Sequence, residues 1–267
     1  MNGRFTGKVA LVTGGGSGLG RAIALGFARE GARVCVVGRR EEKLDETAAL
    51  DRSGNIFGLA GDVRDAARVE AIVNEVVERT GRIDVLVNNA AGNFVVPAAR
   101  LSPNGFKSVV DIVLLGTFHC SRFAFDALCA SRGAILNIVA TYAWSGEPGV
   151  VHSASAKAGV LAMTRTLAAE WGSYGIRVNA LAPGPIHTEG TDKNLWGAAA
   201  VPGSAFDERI RREIPLGRLG DPADVERAAL WLCSDEASWV SGATLAVDGA
   251  HWLGGGRLGF TKELGNL

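Results

Sequence analysis

The residues TGGGSGLG, Thr13 to Gly20, put Gly14, Gly16, Gly18 and Gly20 around Ser17 and Leu19, directly after a short apolar run. Glycines let the backbone approach a pyrophosphate closely, and a helix opening at this point supplies oriented N–H groups and partial positive charge. A glycine cluster alone also suits a tight strand-to-helix turn; the strand before it and the helical pattern after it point to a phosphate loop. The second apolar run ends in VVGRR, where Arg39 and Arg40 stand in place of the acid that would bind an adenosine ribose. Guanidinium groups match a 2′-phosphate, which favours NADP(H) over NAD(H). Glu41 and Glu42 beside them leave open a simpler role as the solvated start of a helix. Asp62 and Val63 end the third run, on the adenine side, and NNAAG, which includes Asn89, Ala90 and Gly92, ends the fourth.

The elements that must hold these groups are legible as alternation. VALVT, RVCVV, NIFGLA, IDVLVN, GAILNIVA, IRVNALA and ATLAVD read as about seven strands separated by amphipathic stretches. This implies an α/β fold: one Rossmann-type, doubly wound parallel sheet with helices on both faces. Helices are expected over Ser17–Glu30, Asp65–Thr80 and Ser153–Trp171, the last with Ser153 as its N-cap. A single domain over residues 1–267 suits the length. Residues 187–215 lack a long apolar period and read as a loop with one short helix, an insertion covering the ligand.

Twenty-eight basic residues balance 28 acidic ones without a block of like charge, which argues against a nucleic-acid surface. No apolar stretch is long enough to span a bilayer, so a membrane is not an expected partner. Cys35, Cys120, Cys129 and Cys233 form no CxxC pair and read as reduced core thiols. His119, His152, His187 and His251 show no metal spacing, and no metal is expected. The seven residues ahead of the first strand leave no room for a targeting peptide, and the terminal NL is not a peroxisomal address. A cytoplasmic location is therefore expected.

TGGGSGLG, GDV, NNAAG and the PGPI at Pro183 to Ile186 occur in order and together resemble the short-chain dehydrogenase/reductase family over essentially the whole chain. The resemblance implies that Pro183, Gly184 and Ile186 lie at the nicotinamide carboxamide and that Lys157 binds the nicotinamide ribose. It also implies a tyrosine four residues before that lysine, a serine near the end of the preceding strand and an asparagine on the fourth helix. Those slots hold Ser153, Ala140 and Val113 instead. Tyr142, just past GAILNIVAT, is the better placed of the two tyrosines, since Tyr174 precedes the next strand. A packing aromatic at a strand end is its other reading.

With NNAAGNF, RLSPN, SASAKAG, LAAEWG and PGPI, this rearrangement resembles the 2,4-dienoyl-CoA reductase branch of the family. That likeness implies that Tyr142 and Asn93 bind a thioester carbonyl, Ser153 supports the site and Lys157 holds the ribose. Hydride delivered to C5 would push charge onto the thioester oxygen, where two donors would stabilise it, and the Lys157 cation is expected to lower the phenol's pKa. Protonation at Cα by water would then give a 3-enoyl-CoA, as in the β-oxidation of unsaturated fatty acids. Phe94 and Ser102 are candidates for the acyl path, and Arg64, Lys193 and Arg257 for the CoA phosphates. A homotetramer is implied as well. A 2-enoyl-CoA reductase, another carbonyl reductase or alcohol dehydrogenase of the family, and a non-catalytic NADP(H)-binding protein remain open alternatives.

Overall fold

The computed structural model describes residues 3–196 and 203–254, apart from the side chains of Lys193, Asn194 and Gly254. Seven parallel strands form one sheet in the order β3-β2-β1-β4-β5-β6-β7: β1 (Val9–Thr13), β2 (Arg33–Gly38), β3 (Ile56–Ala60), β4 (Val85–Asn88), β5 (Ala134–Ile138), β6 (Arg177–Pro183) and β7 (Thr244–Val247). Each coincides with an apolar run recognised in the sequence, β2 and β6 running one residue past theirs, to Gly38 and Pro183. The order reverses between β1 and β4, with Val12 flanked by Val36 and Val87, and this opens a crevice at the carboxyl ends of those strands.

Helices α1 (Gly18–Arg29), α2 (Glu41–Leu50), α3 (Ala66–Thr80), α4 (Pro103–Val110), α5 (Gly116–Phe123), α6 (Phe125–Ser131), α7 (Tyr142–Ser145), α8 (Val151–Trp171), α9 (Glu189–Thr191), α10 (Ala205–Glu213), α11 (Pro222–Cys233) and α12 (His251–Gly254) surround the sheet. Strand alternation explains the two faces. Ala10 and Val12 of β1 and Val34 and Val36 of β2 pack with Ile23 and Phe27 of α1 and Val225 and Leu230 of α11. Val9, Leu11, Cys35 and Val37 point the other way, onto Val69, Ile72 and Val76 of α3 and Leu128 of α6. Strands buried on both sides read as continuous apolar runs, which is why they stood out.

Between the layers lies a buried polar chain. Asn88 Nδ2 donates to Ser121 Oγ (3.1 Å) and Asn137 Oδ1 (2.9 Å), and Asn137 Nδ2 donates to Thr164 Oγ1 (2.9 Å). It ties β4 and β5 to α5 and α8 next to the crevice.

Two expectations need correction. Helix α8 begins at Val151, with Val150 at its N-cap, and Ala154 N already donates to Val150 O (2.8 Å). Ser153 is thus a buried residue inside the first turn, its hydroxyl used elsewhere. The 187–215 segment contains α9, a π-helical turn at Asp192–Trp196 and α10, more helix than the single one expected. Ser204 caps α10, and Asp207 and Glu208 in its first turn suit the helix N-terminus, signals that a search for apolar period overlooks. Another π-helical turn, Asp111–Leu115, joins α4 to α5 and carries buried Val113. Among the described residues, no single helix is long and apolar enough to cross a membrane.

Candidate active site

A cleft of about 1280 Å³ runs along the carboxyl ends of β1, β4, β5 and β6. At one end the phosphate loop is braced from below. Thr13 Oγ1 accepts from the backbone N–H groups of Asn89 and Ala90 (3.0 Å each), while Asn89 Nδ2 donates to the carbonyls of Thr13 (3.0 Å) and Gly14 (3.3 Å). Gly14 has φ +67°, and a Cβ there would fall 2.8 Å from Asn89 Nδ2. A Cβ on Gly20 would fall 2.3 Å from Gly14 O. Glycine is required at both, Gly20 for packing beneath the loop. Ser17 caps α1 without a side-chain hydrogen bond to it, so the first N–H groups of the helix face the cleft with Gly16, Gly18 and Leu19. This cradle fits a pyrophosphate.

Farther along, Arg39 and Arg40 are exposed on the cleft wall, and Arg40 Nη1 lies 3.5 Å from Glu189 Oε1. Asp62 and Val63 border the same wall. Arg64 forks onto Asp62 at 2.6–3.0 Å, and its guanidinium holds that carboxyl below the usual carboxylate range. Ala90, Gly92, Pro183, Gly184 and Ile186 line the middle, where a nicotinamide would lie.

The reacting end is built by α7 and α8. Tyr142 opens the one-turn α7, and its Oη lies 3.1 Å from Ser153 Oγ and accepts from Asn93 Nδ2 at 3.4 Å. The Phe94 N–H donates to Asn93 Oδ1 (2.9 Å), fixing the amide so that its NH₂ faces the phenol. Lys157, one helical turn after Ser153, is buried and donates to Ile138 O at 2.5 Å. Burial pushes its ammonium down to about 8.

The structure thus brings Asn93, Tyr142, Ser153 and Lys157 to one end of the cleft, as the family resemblance implied. It corrects the expected electrostatics. Burial raises the Tyr142 phenol, the hydrogen bonds from Ser153 and Asn93 pull it back only partly, and Lys157 spends its proton on a backbone carbonyl. The Tyr142 phenol therefore keeps its proton.

A family model described as enoyl-(acyl carrier protein) reductase matches residues 14–250. The chain belongs to the short-chain dehydrogenase/reductase family. It is 46% identical over 251 residues to a probable 2,4-dienoyl-CoA reductase [(2E)-enoyl-CoA-producing] of Bacillus subtilis, covering 92% of this chain and 97% of that protein. It is 42% identical over 260 residues to a peroxisomal 2,4-dienoyl-CoA reductase [(3E)-enoyl-CoA-producing] of Arabidopsis thaliana, covering 92% and 85%. The crystal structure of a short chain dehydrogenase from Bacillus anthracis superposes with a TM-score of 0.82 at 46% identity, covering 92% of this chain and 96% of that one. As a member of this family, the protein is an oxidoreductase that takes a nicotinamide cofactor.

Several residues expected at the substrate lie to one side of the family cleft. Phe94 stacks on His152, with centroids 4.4 Å apart, and reaches the site only through the Asn93 amide. Ser102 caps α4 by accepting from Gly105 N (3.0 Å). Arg64 is committed to Asp62. Arg257 and the Lys193 side chain lie outside the described residues. Part of the cleft wall is formed by apolar groups that sequence reasoning missed: Trp144, Leu195, Trp196, Ile210 and Trp252. Trp144 and Trp252 meet edge to face at 5.5 Å. Only the tryptophans in otherwise polar loops signalled this wall.

Proposed function

We propose that this chain uses NADPH to reduce 2,4-dienoyl-CoA thioesters to 3-enoyl-CoA, as a step in breaking down unsaturated acyl chains. The observation carrying this reading is the Tyr142–Ser153–Asn93 cluster: the phenol reaches the position of the family's tyrosine from α7, while α8 carries serine there. The named activities of the Bacillus and Arabidopsis relatives support the substrate class. Exposed Arg39 and Arg40, with no acid at those two positions, support the 2′-phosphate form of the cofactor.

When bound, the cofactor supplies the hydride that reaches C5 of the diene. Tyr142 O–H then donates to the thioester oxygen as charge builds there, with Ser153 O–H donating back to the phenol oxygen. The second hydrogen of the Asn93 amide donates to the same thioester oxygen. Lys157 anchors the ribose hydroxyls from the floor of the cleft. With the dienolate's charge held at the oxygen, Cα is the nearer carbon to protonate, by water, and the product is the 3-enoyl isomer. The free thiols of Cys35, Cys120 and Cys233, buried in the core, support a reducing, cytoplasmic setting. Half-exposed Leu115 and Phe118 on the helices after β4 support a homotetramer.

The test is oxidation of NADPH with trans-2,trans-4-hexadienoyl-CoA beside trans-2-hexenoyl-CoA and NADH, with the product isomer identified by NMR. Turnover of the dienoyl thioester with NADPH is expected. Equal turnover of the 2-enoyl thioester would move the reading to a 2-enoyl-CoA reductase, and binding of NADPH without turnover to a non-catalytic protein.

A further inference from the structure

His187 follows directly on the Pro183–Ile186 segment, where the chain leaves β6 for the cleft wall. Its two ring nitrogens meet two different carboxylates. Nδ1 lies 2.8 Å from Asp192 Oδ1, on the π-helical turn, and Nε2 lies 3.1 Å from both oxygens of Asp207, on α10. An ionised carboxylate only accepts hydrogen bonds, and a neutral imidazole carries one N–H. Satisfying both contacts requires the imidazolium.

The surroundings hold this arrangement in place. Asp207 is buried and also accepts from the Gly203 N–H (2.8 Å). Asp192 N donates to Thr188 O (2.9 Å), and Trp196 sets its ring edge to face with the imidazole, centroids 5.0 Å apart. Several of the other charges on these elements are engaged elsewhere: Arg209 lies over the Phe206 ring and Glu213 4.0 Å from His251. Glu189 pairs with Arg40 and Glu208 with Arg211, whose charge also favours ionised Asp207. The elements His187 joins carry Leu195, Trp196 and Ile210 on the cleft wall.

We propose that His187, as an imidazolium bridging Asp192 and Asp207, is a positioning residue that clasps the apolar wall of the substrate cleft and makes substrate affinity fall as pH rises. This rests on reading the cleft as the substrate's, and is independent of which acyl thioester enters it. The sign follows from the charges. Burial disfavours the imidazolium, yet the two carboxylates outweigh it and hold the ring's pKa above its ordinary value. The clasp is complete below the ordinary imidazole range, about 6.5, and is lost as pH climbs through the raised value. At the acid end Asp207 resists protonation: burial alone would favour the acid, and the Gly203 N–H and His187 more than reverse it.

The experiment is an NMR titration of ring-labelled histidines in the full chain, with the His187 signal assigned by its loss in His187→Gln. KM and kcat are then followed from pH 6 to 10 for trans-2,trans-4-hexadienoyl-CoA. A raised titration for His187 that returns toward the ordinary value in Asp207→Asn or Asp192→Asn is expected. KM of His187→Gln should be raised about tenfold at pH 6.5 with kcat within about threefold, and wild-type KM should climb to meet it at high pH. A His187 signal titrating at or below the ordinary value, or a KM in His187→Gln that tracks wild type throughout, would overturn the proposal. The titration needs no substrate, nor does chymotryptic cleavage at pH 7, which should be faster in His187→Gln within 187–213. If no thioester is turned over, these two readouts decide the clasp, and only the dienoyl-CoA reading fails.

Discussion

Replacing Tyr142 with phenylalanine removes one oxygen and leaves the ring in place. The phenol's partners are Ser153 Oγ at 3.1 Å and Asn93 Nδ2 at 3.4 Å, so losing it breaks two long, partly exposed hydrogen bonds. The folding cost is about 1 kcal/mol. Catalysis should suffer far more, because burial keeps the phenol neutral and able to donate. Loss of one donor to a developing oxyanion in a water-poor cleft lowers kcat about 100- to 1000-fold, equivalent to about 3–4 kcal/mol of transition-state stabilisation. Asn93 remains as second donor, so the rate should fall without vanishing. The assay is the decrease in NADPH absorbance with hexadienoyl-CoA, alongside cofactor affinity from fluorescence, which should be unchanged because no cofactor-facing group is touched. A Tyr142→Phe enzyme retaining kcat within about fivefold of wild type would refute the assignment of the phenol as principal donor.

Other outcomes follow from the same geometry. Arg39→Ala with Arg40→Ala should raise KM for NADPH about 10- to 100-fold, as expected for lost charge-assisted bonds to a 2′-phosphate, and leave KM for NADH unchanged in steady-state assays. Gly20→Ala should abolish measurable cofactor binding while lowering stability by about 1–3 kcal/mol in urea melts, because the new methyl would sit 2.3 Å from Gly14 O. Lys157→Met tests linkage: a buried lysine lowered from 10.5 to about 8 binds fewer protons folded than unfolded, so its contribution to stability grows between those pH values. Cofactor-free Lys157→Met should therefore exceed wild type in stability by up to about 3 kcal/mol at pH 7, the two converging near pH 10 in urea unfolding.

The parts of the molecule legible in sequence are those where one physical requirement dominates. Strands β1, β2, β4, β5 and β6 are buried on both faces along most of their length, so their residues are mostly apolar whatever helix covers them, and the half-buried edge strands β3 and β7 keep enough of the pattern for all seven runs to be found. The phosphate loop was legible because only a missing Cβ allows Gly20 to sit against Gly14 O. The apolar wall was not, because Trp144, Trp196 and Trp252 come from three separate segments without a shared period. His187 carried no signal either: its partners at 192 and 207 have no motif spacing, and only folding shows that both nitrogens meet carboxylates. Ser102 and Arg64 were drawn to the substrate by neighbouring motifs, whereas local hydrogen bonding to Gly105 and Asp62 engages them.

Ser153 shows why a displaced tyrosine leaves a trace in sequence at two positions at once. Positions 153 and 157 lie on one face of α8, so the side chain at 153 and Lys157 address the same end of the cleft. The Tyr142 hydroxyl, arriving from α7, ends 3.1 Å from Ser153 Oγ, inside the volume that a tyrosine at 153 would need. Two phenols cannot share that space in an interior packed to crystal density. A tyrosine at 142 therefore demands a small residue at 153, and a hydroxyl there is favoured over alanine because it gives the half-buried phenol oxygen a partner. The serine in SASAKAG and the tyrosine in ATYAW are one substitution in physical terms: the donor's anchor has moved from α8 to α7 while its oxygen stays beside Lys157's helix. A thioester oxygen approached from α7 would leave the α8 side free for the ribose that we propose Lys157 binds, and Lys157, bonded to the Ile138 carbonyl, lines the same cleft.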